Sequence, residues 1–181
     1  MSEFWEDVAR KSTQSETEQM PWVRYFKPEK GKTILELGCH KGANLLTWAQ
    51  KGHRCHGQDI SQTCIDIFNS NNALLAATAE VGPAEDFETD ELWDYVVMAS
   101  MLESVEDPLR VLQAASKALT PNGEIYIATL RKWWRPPIRT QKRIIEAPML
   151  RQWLKKAGLK MGNSAIGGKQ QQWLICWAYH E

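Results

Sequence analysis

From residue 33 onward, short apolar runs alternate with longer segments whose apolar positions recur at helical spacing. TILEL (33–37) is followed by ANLLTWAQK, and RCHGQDI (54–60) by SQTCIDIFNSN. The alternation continues with LLAATA (74–79), WDYVVMAS (93–100), a helical stretch from Asp107 to Leu119, and EIYIATL (124–130). Short apolar runs without polar alternation suit strands covered on both faces, as in a parallel sheet flanked by helices. The βαβ rhythm therefore predicts an α/β fold. A final helix around Pro148 to Ala157, stopping at Gly158, precedes a terminal strand pair that includes QQWLICWAYH.

Local chemistry sets two of the boundaries. Asp107 before Pro108 reads as an N-cap followed by proline at the first helical position, where a missing N–H costs nothing. Thr120-Pro121-Asn122-Gly123 ends that helix, because proline cannot continue it and Asn-Gly takes positive φ readily. The first 19 residues join the apolar cluster Phe4, Trp5 and Val8 to the polar run KSTQSETEQ, as a helix or an arm ahead of the fold. RKWWRPPIRTQKR, with its adjacent prolines, reads as a loop or cap.

Composition leaves this picture intact. The chain has 181 residues, 43% apolar and 24% charged, which fits one folded domain spanning 1–181 and excludes disorder throughout. Within it, 1–30 form an N-terminal arm or cap and 131–146 a substrate-cap segment. No apolar run reaches the roughly 18–20 residues of a membrane span, and MSEFWEDVAR lacks an apolar signal core, so the cytoplasm is the expected compartment. The four cysteines, 39, 55, 64 and 176, have neither C-x-x-C nor zinc-finger spacing, so reduced thiols and no metal are expected. Twenty-two acids balance twenty-two bases, but residues 76–110 hold ten acids and one base, whereas 131–160 hold ten bases and one acid. Such segregation reads as solvated faces or as steering of an anionic ligand.

The most informative string is TILELGCHKGANL, with Gly38 and Gly42 in the turn between a buried strand and a helix. Glycine there lets the backbone bend and approach a ligand closely, and the helix start offers unpaired N–H groups. Asp59 closes the next strand, 21 residues after Gly38. That is where dinucleotide-type folds place the acid that accepts hydrogen bonds from ribose hydroxyls. Capping the following helix is the competing role for Asp59, and Ser61 is equally able to fill it.

These strings resemble the class I S-adenosylmethionine-dependent methyltransferases over about residues 30–130, in the family's order. ILELGCHKG is similar to the first motif, acid-x-Gly-x-Gly-x-Gly, and HGQDIS to the second. GPAEDF (82–87) is similar to the stretch beside the adenine. WDYVVMASMLESVEDP and LTPNGEIYIATL are similar to the fourth strand with its loop, and to the approach to the fifth strand, in small-molecule enzymes related to quinone-biosynthesis O-methyltransferases. The resemblance implies a Rossmann-like, seven-stranded, mostly parallel sheet with helices on both faces and an antiparallel C-terminal strand. It implies S-adenosyl-L-methionine as cofactor, with Glu36, Gly38, Cys39, His40 and Gly42 around its methionine end. Asp59 and Ile60 are implied at the ribose and one adenine face, Ala84 and Glu85 at the adenine edge, and Ser100 and Met101 beneath the sulfonium and substrate entrance.

Three positions depart from the family pattern. His40 replaces the middle glycine of the first motif, Pro83 stands where an acid commonly meets the adenine amino group, and Ser104 stands where related quinone enzymes often carry a histidine. The first two bear on cofactor binding and the third removes an obvious base. A dinucleotide dehydrogenase is disfavoured, because its G-x-G-x-x-G spacing is absent.

The resulting expectation is methyl transfer to oxygen or nitrogen of a small molecule, with an aromatic or anionic acceptor. Positioning supplies much of the acceleration, so a base is optional. Glu103 and His40 are the catalytic candidates, with His56 a third by position; the competing role for Glu103 is membership of the acidic surface. His53 is expected to face solvent. Trp5, Trp22, Tyr25, Trp133 and Trp134 are read either as an apolar lid or as closure of the core, and Arg131, Lys132, Arg135 and Arg139 as attractors of an anion. Trp48, Trp93, Trp153, Trp173 and Trp177 read as core or helix-packing residues. The alternatives are a methyltransferase-fold binding module without catalysis, acting through a protein partner, and an RNA methyltransferase. Nucleic acid is disfavoured by the neutral chain and by ASMLES standing where base-methylating enzymes carry their catalytic string. Acceptor identity and oligomeric state are not encoded in these patterns.

Overall fold

A computed structural model of the chain describes residues 2–11, 25–72, 76–130, 142–167 and 173–181. Its helices are α1 (Ser2–Lys11), α2 (Ala43–Gln50), α3 (Gln62–Asn71), α4 (Pro108–Lys117) and α5 (Ala147–Lys156). Its strands are β1 (Thr33–Leu37), β2 (Arg54–Asp59), β3 (Ala77–Val81), β4 (Trp93–Ala99), β5 (Leu119–Leu130), β6 (Leu159–Gly167) and β7 (Trp173–His180). The seven strands form one mixed sheet in the order β3-β2-β1-β4-β5-β7-β6. Internal contacts divide the chain into two compact units, Met1–Ala84 and Glu85–Glu181.

In the first unit β1, β2 and β3 are parallel, with Leu37 opposite Gln58 and Asp59 opposite Val81. The strand ends Leu37 and Asp59 thus come out at one edge of the sheet, followed by the turns that open α2 and α3. Ser61 caps α3, its hydroxyl accepting the Cys64 N–H at 3.2 Å, which leaves Asp59 free of the N-cap role. Leu45, Trp48, Ile34, Leu35 and Phe68 pack into the core, and Phe26 meets Trp48 edge to face at 5.2 Å.

The second unit pairs β4 with β5 in parallel, and β7 runs antiparallel to both β5 and β6. Asp107 caps α4 as its sequence predicts, Oδ1 accepting from the amides of Leu109 and Arg110 at 3.0 and 3.1 Å. Tyr126 is buried and meets Trp177 edge to face at 5.2 Å.

Two boundaries and one burial differ from the sequence reading. β3 is described from Ala77, where its pairing with β2 starts at Cys55, and Leu74 and Leu75 of the expected run lie outside the described residues. α4 stops at Lys117 and β5 already starts at Leu119. Leu119 pairs with Trp93 and Glu124 with Tyr95, so the Thr-Pro-Asn-Gly turn is a bulge inside the ladder and not its boundary. His53 is 3% exposed and not solvent-facing: its Nδ1 lies 3.0 Å from the Lys32 carbonyl, a partner 21 residues away. Trp48 and Trp93 are buried as expected, whereas Trp153, Trp173 and Trp177 are only half-buried. No helix among the described residues is long and apolar enough to cross a membrane.

Candidate functional site

The turn after β1 is built by backbone geometry that few side chains tolerate. Gly38, His40 and Gly42 have φ of 77°, 52° and 76°. Glycine adopts such angles without penalty, and histidine is among the residues that tolerate them best. The Gln58 carbonyl accepts the amides of Gly38 at 2.8 Å and Cys39 at 3.1 Å, and the Gly42 N–H closes the turn on the Cys39 carbonyl at 3.0 Å. At Gly42 a Cβ would come within 2.1 Å of the Phe68 ring, so a hydrogen is all that fits where α2 packs on α3.

Asp59 ties this turn to the next one. Its Oδ2 accepts the His40 N–H at 2.8 Å and its Oδ1 the Ser61 N–H at 3.0 Å. Each carboxylate oxygen has a second lone pair, so acceptor capacity remains. The Asp59 carbonyl receives the Gly82 N–H at 2.9 Å, which fastens the chain leading to Pro83 and Ala84. Burial raises the Asp59 carboxyl above its usual range, against the two amides and the nearby imidazole. Burial holds His40 below the usual histidine range, partly offset by the Asp59 charge. The His40 ring is therefore neutral at neutral pH.

Glu36, 2% exposed, lies beneath this turn. Its Oε1 accepts from Asn44 Nδ2 at 2.6 Å, and burial pushes its carboxyl up to about 8, with the Asp59 charge acting in the same direction. Glu36 Oε2, Asn44 Oδ1 and Gln58 Oε1 are all buried without a hydrogen-bond partner among the described residues. A buried acceptor left unmatched carries a desolvation cost that a donor on a ligand relieves. Asn44 and Gln58 were not legible as site residues: Asn44 follows the first motif and Gln58 precedes Asp59 in the second, but neither residue type marks a role there, and the Asn44 contact spans eight residues from strand to helix.

Of the residues inferred from sequence, Glu36, Gly38, Cys39, His40, Gly42 and Asp59 are thus gathered in one corner of the first unit, with Ile60 next to Asp59. Ala84 opens a short 3-10 turn, Ala84–Asp86. His56 is engaged elsewhere, with Nδ1 2.8 Å from the Thr78 hydroxyl and Nε2 3.7 Å from Glu80.

In the second unit Ser100, Met101 and Glu103 share one loop after β4, whereas Glu85 precedes that strand. Ser100 has φ of 55°, donates its N–H to the Ala128 carbonyl at 2.8 Å, and keeps a buried hydroxyl without a partner among the described residues. Met101 is buried, and its carbonyl accepts the Ser104 N–H at 2.9 Å. Glu103, 1% exposed, is no part of the acidic surface: its Oε2 accepts from the Thr129 hydroxyl at 2.7 Å. Glu85 Oε1 accepts the Glu106 N–H at 2.9 Å, so one of its oxygens serves the loop. Arg143, which no motif marks, donates to the carbonyls of Leu102, Val105 and Glu106 at 3.2, 2.7 and 3.2 Å. Trp22, Trp133, Trp134, Arg131, Lys132, Arg135 and Arg139 lie outside the described residues. Tyr25 is exposed, and Trp5 is half-buried against Phe4.

A glycine turn held on an acid at the end of the neighbouring parallel strand, in a sheet ordered 3-2-1-4-5-7-6, defines a class I methyltransferase fold, and the comparisons agree. The family model for a methyltransferase domain matches residues 13–162, and the chain belongs to that family, the S-adenosyl-L-methionine-dependent methyltransferases. A ubiquinone biosynthesis O-methyltransferase of Hydrogenovibrio crunogenus is 29% identical over 118 residues, 63% of this chain and 49% of that protein. A cypemycin N-terminal methyltransferase of a Streptomyces species is 26% identical over 110 residues, 59% of this chain and 45% of that protein. The chain spans about half the length of these curated relatives. In fold it is similar to the CcbJ methyltransferase of Streptomyces caelestis, with a TM-score of 0.78 at 13% identity, covering 97% of this chain and 95% of that one.

Proposed function

We propose that this chain transfers a methyl group from S-adenosyl-L-methionine to an oxygen or nitrogen of a small molecule. The observation that carries the reading is the turn from Gly38 to Gly42 fixed on Asp59, above a buried Glu36 oxygen that has no partner among the described residues. The residues fit the donor. Glu36 Oε2 accepts an N–H of its α-ammonium, the proton that burial keeps on the carboxyl being released to solvent, and Asp59 accepts the ribose hydroxyls with the lone pairs its two amides leave. Gly38, Cys39 and Gly42 let the backbone approach the methionine end, and Ile60 covers one face of the adenine.

The family resemblance extends the assignment to Ala84 and Glu85 for the adenine edge, and to Ser100 and Met101 for the sulfur end. When bound, S-adenosylmethionine supplies a methyl group already activated by positive sulfur. The chain's own task is then to hold the acceptor atom in line and exclude water. His40, neutral at physiological pH, is able to take a proton from a hydroxyl or amine at a ring nitrogen. Glu103, oriented by Thr129, is the second candidate for that role.

Isothermal titration with S-adenosylmethionine and S-adenosylhomocysteine tests the reading. Asp59→Ala is expected to weaken both at least tenfold, in line with about 1.5–3 kcal/mol for lost charge-assisted hydrogen bonds. Unchanged affinity removes Asp59 from the site, and no binding by the unmodified chain removes the enzyme reading in favour of a binding module. Methyl-labelled donor incubated with phenols, amines and RNA then separates acceptors by the fraction that carries the label.

A further inference from the structure

The N-terminal helix holds a carboxylate that the cofactor reading leaves unused. Glu6 of α1 accepts the Gln62 N–H at 2.6 Å through Oε1 and the Thr63 N–H at 3.2 Å through Oε2. Its partners are 56 and 57 residues away, at the first turn of α3. The amides that open this helix are thereby all matched: Ser61 to Asp59, Gln62 and Thr63 to Glu6, and Cys64 to the Ser61 hydroxyl. Two carboxylates consequently share one turn, with Ser61 as the joint between them. The Thr63 hydroxyl, together with the Thr63 and Gln62 amides, holds the Glu6 carboxyl below its ordinary range.

A bridging carboxylate on consecutive amides of a helix start stabilises the first turn through its hydrogen bonds and through the helix dipole. Deleting it leaves two N–H groups to water and lets that turn fray. Ser61 stands at the base of the turn, and its N–H is one of the two that, among the described residues, orient the Asp59 carboxylate. Fraying there loosens the acid that meets the ribose, while the glycine turn stays closed by its own bonds to Gln58 and Cys39. An ordinary anchor between two surface helices need not reach a ligand group. This one is a single hydrogen bond from it.

We propose that Glu6 is a positioning residue for nucleoside binding: by capping α3 it fixes the corner from Asp59 to Thr63 on which the ribose-binding carboxylate stands. The inference rests on the cofactor reading above. It makes the N-terminal helix part of the binding machinery without requiring α1 to touch the ligand. A chain lacking the Glu6 carboxylate binds with its competent conformation only fractionally populated, and its apparent dissociation constant rises by the inverse of that fraction.

Titration of the full chain with S-adenosylhomocysteine tests this. Glu6→Ala and Glu6→Gln are expected to raise the dissociation constant about five- to tenfold, while Asp7→Ala, which removes the exposed ion pair to Lys11 on the same helix, leaves it unchanged. Glutamine keeps the size and one acceptor but turns an NH2 toward the second amide, so it separates loss of the carboxylate from loss of packing should the alanine variant unfold. The Glu6→Gln/Asp59→Ala double variant should bind no more weakly than Asp59→Ala alone, because Glu6 acts through Asp59. Wild-type affinity in Glu6→Gln, an equal loss in Asp7→Ala, or additive losses in the double variant overturns the proposal and leaves the cofactor reading standing. Absence of binding by the unmodified chain overturns both.

Discussion

Gly42→Ala isolates the tightest feature of the site. The residue has φ of 76°, and a methyl group there would lie 2.1 Å from Phe68 Cδ2 and 2.8 Å from Cε2. Left-handed backbone costs an alanine about 1–2 kcal/mol. Forcing a methyl group into a packed contact costs about 1–3 kcal/mol more, and Phe68 is wholly buried with no exposed side to retreat to. The sum is about 2–5 kcal/mol of lost stability, or roughly 5–15 °C in melting temperature for a chain of this length. Urea denaturation followed by tryptophan fluorescence reads the first and differential scanning fluorimetry the second. Phe68→Leu in the Gly42→Ala background separates the two contributions. The double variant should be more stable than the sum of single losses predicts by about 1 kcal/mol or more, since a smaller side chain relieves the clash and leaves the backbone strain. A Gly42→Ala chain within about 0.5 kcal/mol of wild type, the range of an ordinary surface substitution, would refute both the angle and the contact.

Glu36 gives a pH dependence of definite sign. Burial pushes its folded carboxyl up to about 8 from the 4.5 of a free glutamate, so between those limits the folded state holds a proton that the unfolded state releases, and stability falls as pH rises through that window. Glu36→Gln should abolish this dependence, on the order of a few kcal/mol between pH 5 and 8, read as the difference in urea midpoints; parallel profiles in the two proteins contradict it. Arg143→Ala should destabilise by about 1–3 kcal/mol and speed hydrogen exchange in residues 101–106, with the 33–72 region unaffected; protection of that loop equal to wild type counts against the clamp. All four cysteines are buried and none is paired with another, with thiols pushed up to about 12 at Cys55 and Cys176 and about 11 at Cys64 by burial. None should react with a thiol reagent at pH 8 until the chain unfolds, so prompt labelling in native buffer would contradict their placement.

What the sequence disclosed was mostly local. The Asp107-Pro108 cap and Ser61 as the cap of α3 each follow from a few neighbouring residues, and each stands in the structure. Misjudged features depended on distant partners. His53 looked exposed beside Gly52, but a carbonyl 21 residues away receives it in the interior. Glu103 carried two readings, and Thr129 on β5, 26 residues away, removes the surface one. The start of β5 was obscured because Thr-Pro-Asn-Gly carries the chemistry of a terminus, whereas pairing resumes on both sides of it. The glycines and Asp59 were legible because the backbone geometry of such a turn admits few residue types. Asn44, Arg143 and Glu6 were not, since an amide, a guanidinium or a carboxylate on a helix or loop has many ordinary uses and only the tertiary contact selects one.

The link from position 40 to Asp59 runs through a main-chain nitrogen. Any residue able to turn left-handed there preserves that link, so the imidazole is dispensable to the scaffold. Replacing it with glycine should open space at the turn without disturbing the frame, and bulkier substitutes should fill it. Shape at this one position is therefore adjustable while the architecture is not at stake.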